Sequence, residues 1–180
     1  MKRILLASAL LLFSISLFAA KPLKVTKGSL DILKEEATAT WTIDLSDSQF
    51  VNNGIFAKEN KGDFQTWCGD TYEERVQMMN ESFFDSFAIY SPGLELVKES
   101  EAPYKMILKV DTFEKAQGSG PLGFCYISIY GTFGVLDAAT GEKLLEVKVT
   151  NLKGEEDLDE TVRFPTVMKR FCRDLSRIVK

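Results

Sequence analysis

Three β-rich segments in succession between Tyr104 and Asn151 constrain this chain more than any other feature. In the first, Met106, Leu108 and Val110 share one parity, and Lys105, Ile107, Lys109, Asp111 and Phe113 the other. That is the two-residue period of a half-buried strand. The period returns with Cys125, Ile127, Ile129, Phe133 and Val135 set against Tyr126, Ser128, Tyr130 and Thr132. It returns again with Leu145, Val147 and Val149 set against Glu146 and Lys148. The pattern predicts a three-stranded meander with one buried and one wet face. Between the second and third segments, Asp137-Ala-Ala-Thr-Gly141 has Asp to open a type I turn and Gly for the left-handed residue that closes it. It reads as a hairpin.

The period changes on either side of the meander. Tyr72, Val76, Met79, Phe83, Phe87 and Tyr90 are spaced by three or four residues, which predicts an amphipathic helix. Asp70 and Glu73 have the spacing of a capping box, and Ser91-Pro-Gly93 stops the helix. Phe164, Val167, Met168, Phe171, Cys172, Leu175 and Ile178 trace a second helical face, with Pro165 in its first turn. Residues 28–33 and Ala37–Leu45 read as a pair of strands with Trp41 inward. Residues 46–69 read as a long connection with a helical turn carrying Phe64 and Trp67, and Leu94 and Leu96 as a short strand. Two helices with one apolar face each, and a sheet with one, assemble as a two-layer α+β fold. Its sheet is mainly antiparallel, in the order strand pair, helix, three-stranded meander, helix, with both helices on one face.

The amino terminus predicts export. Lys2-Arg3 precede an apolar run from Ile4 to Phe18, then Ala19-Ala20 and Lys21-Pro22, the order of a secretory signal over residues 1–20. The run is 15 residues long, short of the roughly 20 that a spanning helix requires. Cleavage after Ala19 or Ala20 leaves a single domain, 21–180, with no lipid-accepting cysteine at its start. Without Lys2 and Arg3 the chain has 20 basic and 26 acidic side chains, a net charge of -6, which disfavours nucleic acid as a partner. Cys68, Cys125 and Cys172 are an odd number for an oxidising compartment, and their pairing is open.

Ala102-Pro-Tyr104 entering a strand, the Gly118–Gly123 loop and the run from Val135 to Leu145 together resemble the small α+β domains of bacterial envelope proteins. The amino-terminal domain of TolB and the curli-secretion lipoprotein are of this type. The chain also looks like a set of secreted Bacteroidetes proteins. The resemblance covers roughly residues 71–180 and rests on a turn; it implies an envelope setting and no catalytic residues. The pore of the curli relative is not implied, because the chain has no long amphipathic hairpin to insert.

Histidine is absent from all 180 residues. Ser-His-Asp and Cys-His catalysis and the commonest zinc and iron sites are thereby excluded. Gly118-Ser-Gly120-Pro-Leu-Gly123 matches a dinucleotide fingerprint by letter, yet a strand follows where the phosphate chemistry requires a helix. Glu155–Glu160 is acidic but lacks the alternating ligands and central glycine of a calcium loop, and reads as a solvated linker. No cofactor or metal is expected. The remaining candidate is the wet sheet face, where Lys105, Ile107, Lys109, Phe113, Tyr126, Tyr130, Thr132 and Lys148 mix amphipathic rings with cations in the manner of recognition surfaces. The expected function is non-enzymatic binding of another envelope protein. Two alternatives stand beside it: a carrier of small apolar ligands, with Phe56, Phe64 and Trp67 lining a pocket, and a histidine-free hydrolase.

Overall fold

A computed structural model describes residues 21–53, 61–91, 93–98, 101–117, 125–157 and 159–180. The expected signal segment, the Gly118–Gly123 loop, Phe56 and Pro92 lie outside them.

The meander is present as β6 (Tyr104–Gln117), β7 (Cys125–Asp137) and β8 (Lys143–Lys153), each antiparallel to the next. Its hairpin closes as the sequence predicts. The Asp137 carboxylate accepts from the Ala139 and Thr140 amides at 3.0 and 2.7 Å, and Gly141 has φ 73°. These bonds, the one from Thr140 N foremost, hold the Asp137 carboxyl below the usual carboxylate range.

The sheet extends beyond the meander on both sides. At one edge β1 (Leu23–Gly28) runs antiparallel to β8. The sequence does not mark this strand, because its alternation covers only Leu23 and Val25. At the other side β2 (Thr38–Asp44) lies parallel to β6 and not in a hairpin, and β5 (Glu95–Leu96) adds a parallel pair to Thr38 and Ala39. β3 (Gln49–Asn52) continues the line of β2 along β6, and β4 (Lys61–Asp63) pairs antiparallel with it. The 46–69 connection thus holds two short strands. It ends in α1 (Phe64–Cys68), the expected helical turn, which Asp63 caps by accepting from Thr66 N at 2.7 Å.

The strand expected over 28–33 does not form, since Gly28 is the last residue of β1. Gly28 turns the chain at φ 75°, Ser29 caps Asp31 N at 3.2 Å, and Leu30–Lys34 winds into a 3-10 helix that buries Ile32 and Leu33. Asp31 and Lys34 pair across it at 3.1 Å.

α2 (Tyr72–Tyr90) and α3 (Glu160–Val179) lie on the same side of the sheet. The Asp70/Glu73 capping box does not form, because a 3-10 turn over Gly69–Thr71 precedes α2 and its cap residue is Thr71, without a side-chain bond. α3 starts earlier than the apolar period indicates, which places Pro165 inside the helix. The acidic stretch before it is tied down: Asp157 exchanges backbone bonds with Cys125 at 3.2 and 3.0 Å, and its carbonyl accepts from Arg163 Nε at 2.8 Å.

The core between the layers is aromatic. Trp41 of β2 stacks on Phe83 of α2 with ring centroids 3.3 Å apart, and Phe133 of β7 meets Phe171 of α3 edge-on at 5.3 Å. Cys172 is buried with its thiol 3.7 Å from the Phe83 carbonyl, and burial pushes its pKa far up. Cys172 is a free thiol. Among the described residues no helix is long and apolar enough to cross a membrane.

Candidate functional site

With α2 and α3 on one face of the sheet, the opposite parity of β6, β7 and β8 is left without a covering layer among the described residues. Strand register brings seven of the eight candidate residues onto it. Lys109, Thr132 and Lys148 stand side by side on β6, β7 and β8, and Lys24 of β1 extends the row. Ile107 lies across from Gly134, and Lys105 across from Leu136. Tyr130 and Tyr126 occupy the further end, opposite Thr112 and Ala116.

Phe113 is the exception and belongs to the core, with 0% of its surface exposed. The register of β6 against β7 shifts between Val110 and Thr112, so Asp111 is an extra residue in the strand and every later side chain changes face. Gly131 lies at this point. A Cβ there would come within 2.0 Å of the Lys109 carbonyl oxygen. The bulge therefore depends on close backbone approach at a residue with no side chain.

The same bulge gives Tyr130 a partner that the uniform alternation conceals. Glu114 now points to the uncovered face and accepts from the Tyr130 hydroxyl at 2.6 Å. Burial and this bond push the Tyr130 pKa up to about 12, since the neutral phenol donates to a carboxylate. Tyr126 is held from the other side: the Lys153 ammonium stands 4.6 Å from its ring centre and 3.2 Å from its hydroxyl. Lys109 pairs with Asp47 at 3.1 Å, which raises its pKa. Asp111, Tyr130, Thr132, Glu146 and Lys148 bound a shallow hollow of about 470 Å³. The sequence pattern does not reveal Glu114, which changes face at the bulge, Asp47, which lies on the 46–69 connection, or Lys153, the last residue of β8.

Of the rings expected to line a pocket under the 46–69 connection, the two described ones, Phe64 and Trp67, are packed against other rings. Phe64 has 0% exposure, stacks on Phe113 at 4.1 Å and packs against Tyr72 and Phe164. Trp67 stacks on Phe50 at 3.6 Å, with the Arg75 guanidinium 4.9 Å from its ring. These rings form a cluster, not a ligand cavity. A groove of about 730 Å³ does exist elsewhere, between β2 and α2, with Trp41, Val76 and Phe84 on its walls. There Trp41 Nε1 donates to Asn80 Oδ1 at 3.0 Å.

The arrangement defines a class: an open-faced α+β domain whose helix layer closes the core and whose other face is a broad, mixed aromatic and charged surface. No family model matches the chain, and no curated protein matches it. Among solved structures it is similar to PelC of Paraburkholderia phytofirmans, solved as a dodecamer, at 11% identity and TM-score 0.44, covering 86% of this chain and 96% of that one. It is also similar to a Xanthomonas campestris protein of the DUF330 family, at 10% identity and TM-score 0.44, covering 79% and 84%. At that distance neither bears on what this chain binds.

Proposed function

We propose that the chain, exported and freed of residues 1–20, is a non-enzymatic protein-binding domain of the bacterial envelope that docks a partner through the uncovered face of its sheet. One observation carries this reading: Tyr126 and Tyr130 stand on a sheet face with no covering layer among the described residues, while the opposite parity already fills the core. The two rings are fixed by Lys153 and Glu114, so little side-chain entropy remains to be lost on docking. Lysines beside amphipathic rings suit a partner surface that is partly acidic. The absence of histidine from the sequence and the resemblance to envelope domains support the non-enzymatic, exported setting.

The test is Tyr126→Ala combined with Tyr130→Ala. Truncating partly exposed side chains outside the core leaves the domain folded. Capture of the native partner from envelope extract should fall tenfold or more, because tyrosines central to an interface contribute roughly 2 kcal/mol or more each. A folded double variant that captures the same partner undiminished overturns the assignment.

A further inference from the structure

The sheet edge beside α2 carries main-chain groups that no strand takes up. Ala37 and Ala39 turn their carbonyls toward β5, accepting from Glu95 N and Val97 N at 2.9 Å each. Main-chain groups of successive residues point to opposite edges of a strand. Trp41 and Ile43 therefore face this same edge, while Thr40, Thr42 and Asp44 face β6. β5 pairs no further along β2 than Ala39, and β4 begins to cover the line again only at β3, over Gln49–Val51. In the gap, the N–H and C=O of Trp41 and of Ile43 have no main-chain partner among the described residues. An interior length of edge left open between two capped lengths is a template for one added strand.

The groove of about 730 Å³ runs along this gap and gives it chemistry. Its apolar floor is Trp41, Val76 and Phe84. Its rim carries the carboxylates of Glu73, Glu81 and Asp85 against the single ammonium of Lys98. We propose that the notch binds an extended polypeptide segment of a partner protein, added as a short strand to β2, with basic side chains at alternate positions directed at α2. Two donors and two acceptors at strand spacing are satisfied together by a peptide backbone. The excess of carboxylates on the wall selects the basic parity. The proposal rests on the protein-binding reading above but uses a different surface from Tyr126 and Tyr130.

The probe is a fluorescein-labelled decapeptide of alternating Val and Lys, titrated by anisotropy against the whole exported protein. Saturable binding is expected. An alternating Val and Glu peptide, and a fully N-methylated Val and Lys peptide that keeps its charges but has no N–H donors, should each bind at least tenfold more weakly. Glu81→Lys with Asp85→Lys changes two exposed helix positions and should weaken the Val and Lys peptide at least tenfold, whereas Tyr126→Ala with Tyr130→Ala should leave it unchanged. Absence of saturable binding overturns the site. Equal binding by the N-methylated peptide overturns strand addition, and indifference to the charge reversal, or loss with the tyrosine variant, overturns its placement. The sheet-face reading stands or falls separately, on partner capture by the tyrosine variant.

Discussion

Gly131 is the residue on which the face assignment turns. It stands where β6 gains Asp111, and a side chain would meet the Lys109 carbonyl at 2.0 Å, a backbone atom that cannot swing aside. Gly131→Ala is expected to destabilise the fold by at least about 1 kcal/mol, measured by urea unfolding. It should also loosen the Tyr130–Glu114 contact, which exists only because the bulge turns Glu114 outward. Tyr130 gives an independent observable. Its pKa is raised from 10.0 to about 12, so the bond to Glu114 contributes fully below pH 10 and is lost as pH rises through the folded value. A spectrophotometric titration of the five tyrosines should show one phenol ionising last, and Glu114→Gln should bring it down. An unchanged curve in that variant would contradict the contact.

Among the elements, those legible in the sequence are the ones with long, regular patterns. β6, β7 and β8 run for 14, 13 and 11 residues, and α2 and α3 for 19 and 20. Each repeats its period often enough to outweigh local exceptions. What the pattern missed is short or set by tertiary partners. β1 has two inward side chains, Leu23 and Val25; β4 has Lys61, Gly62 and Asp63 with no apolar residue at all, and exists through its pairing with β3. Leu30–Lys34 has the apolar content of a strand, yet Ser29 and the Asp31–Lys34 pair favour a helical turn. The expected hairpin was right because its chemistry is local. Gly141 has φ 73° with open space around it, so Gly141→Val strains the backbone without a clash and should lower stability by about 1 kcal/mol. An unchanged melting temperature would contradict the turn.

For the molecule as a whole, the sequence made the two-layer plan readable because one parity of each strand and one face of each helix are apolar. It made the candidate face readable for the same reason, as what remained after the core was assigned. Phe113 broke that logic, since a single inserted residue reverses parity and a uniform alternation cannot register it. The open edge of β2 was equally hidden: its position depends on β5 stopping at Leu96 and on β2 pairing parallel to β6, and both are consequences of topology. The central claim concerns the uncovered sheet face, and site-specific photo-crosslinking in cells that make the protein tests it most directly. A photoreactive residue at Thr132, in the middle of that face, should give a discrete crosslinked partner, while the same residue at Lys169, exposed on α3, should give none. A partner captured from Lys169 and not from Thr132 would place the binding surface on the helix layer and contradict the account.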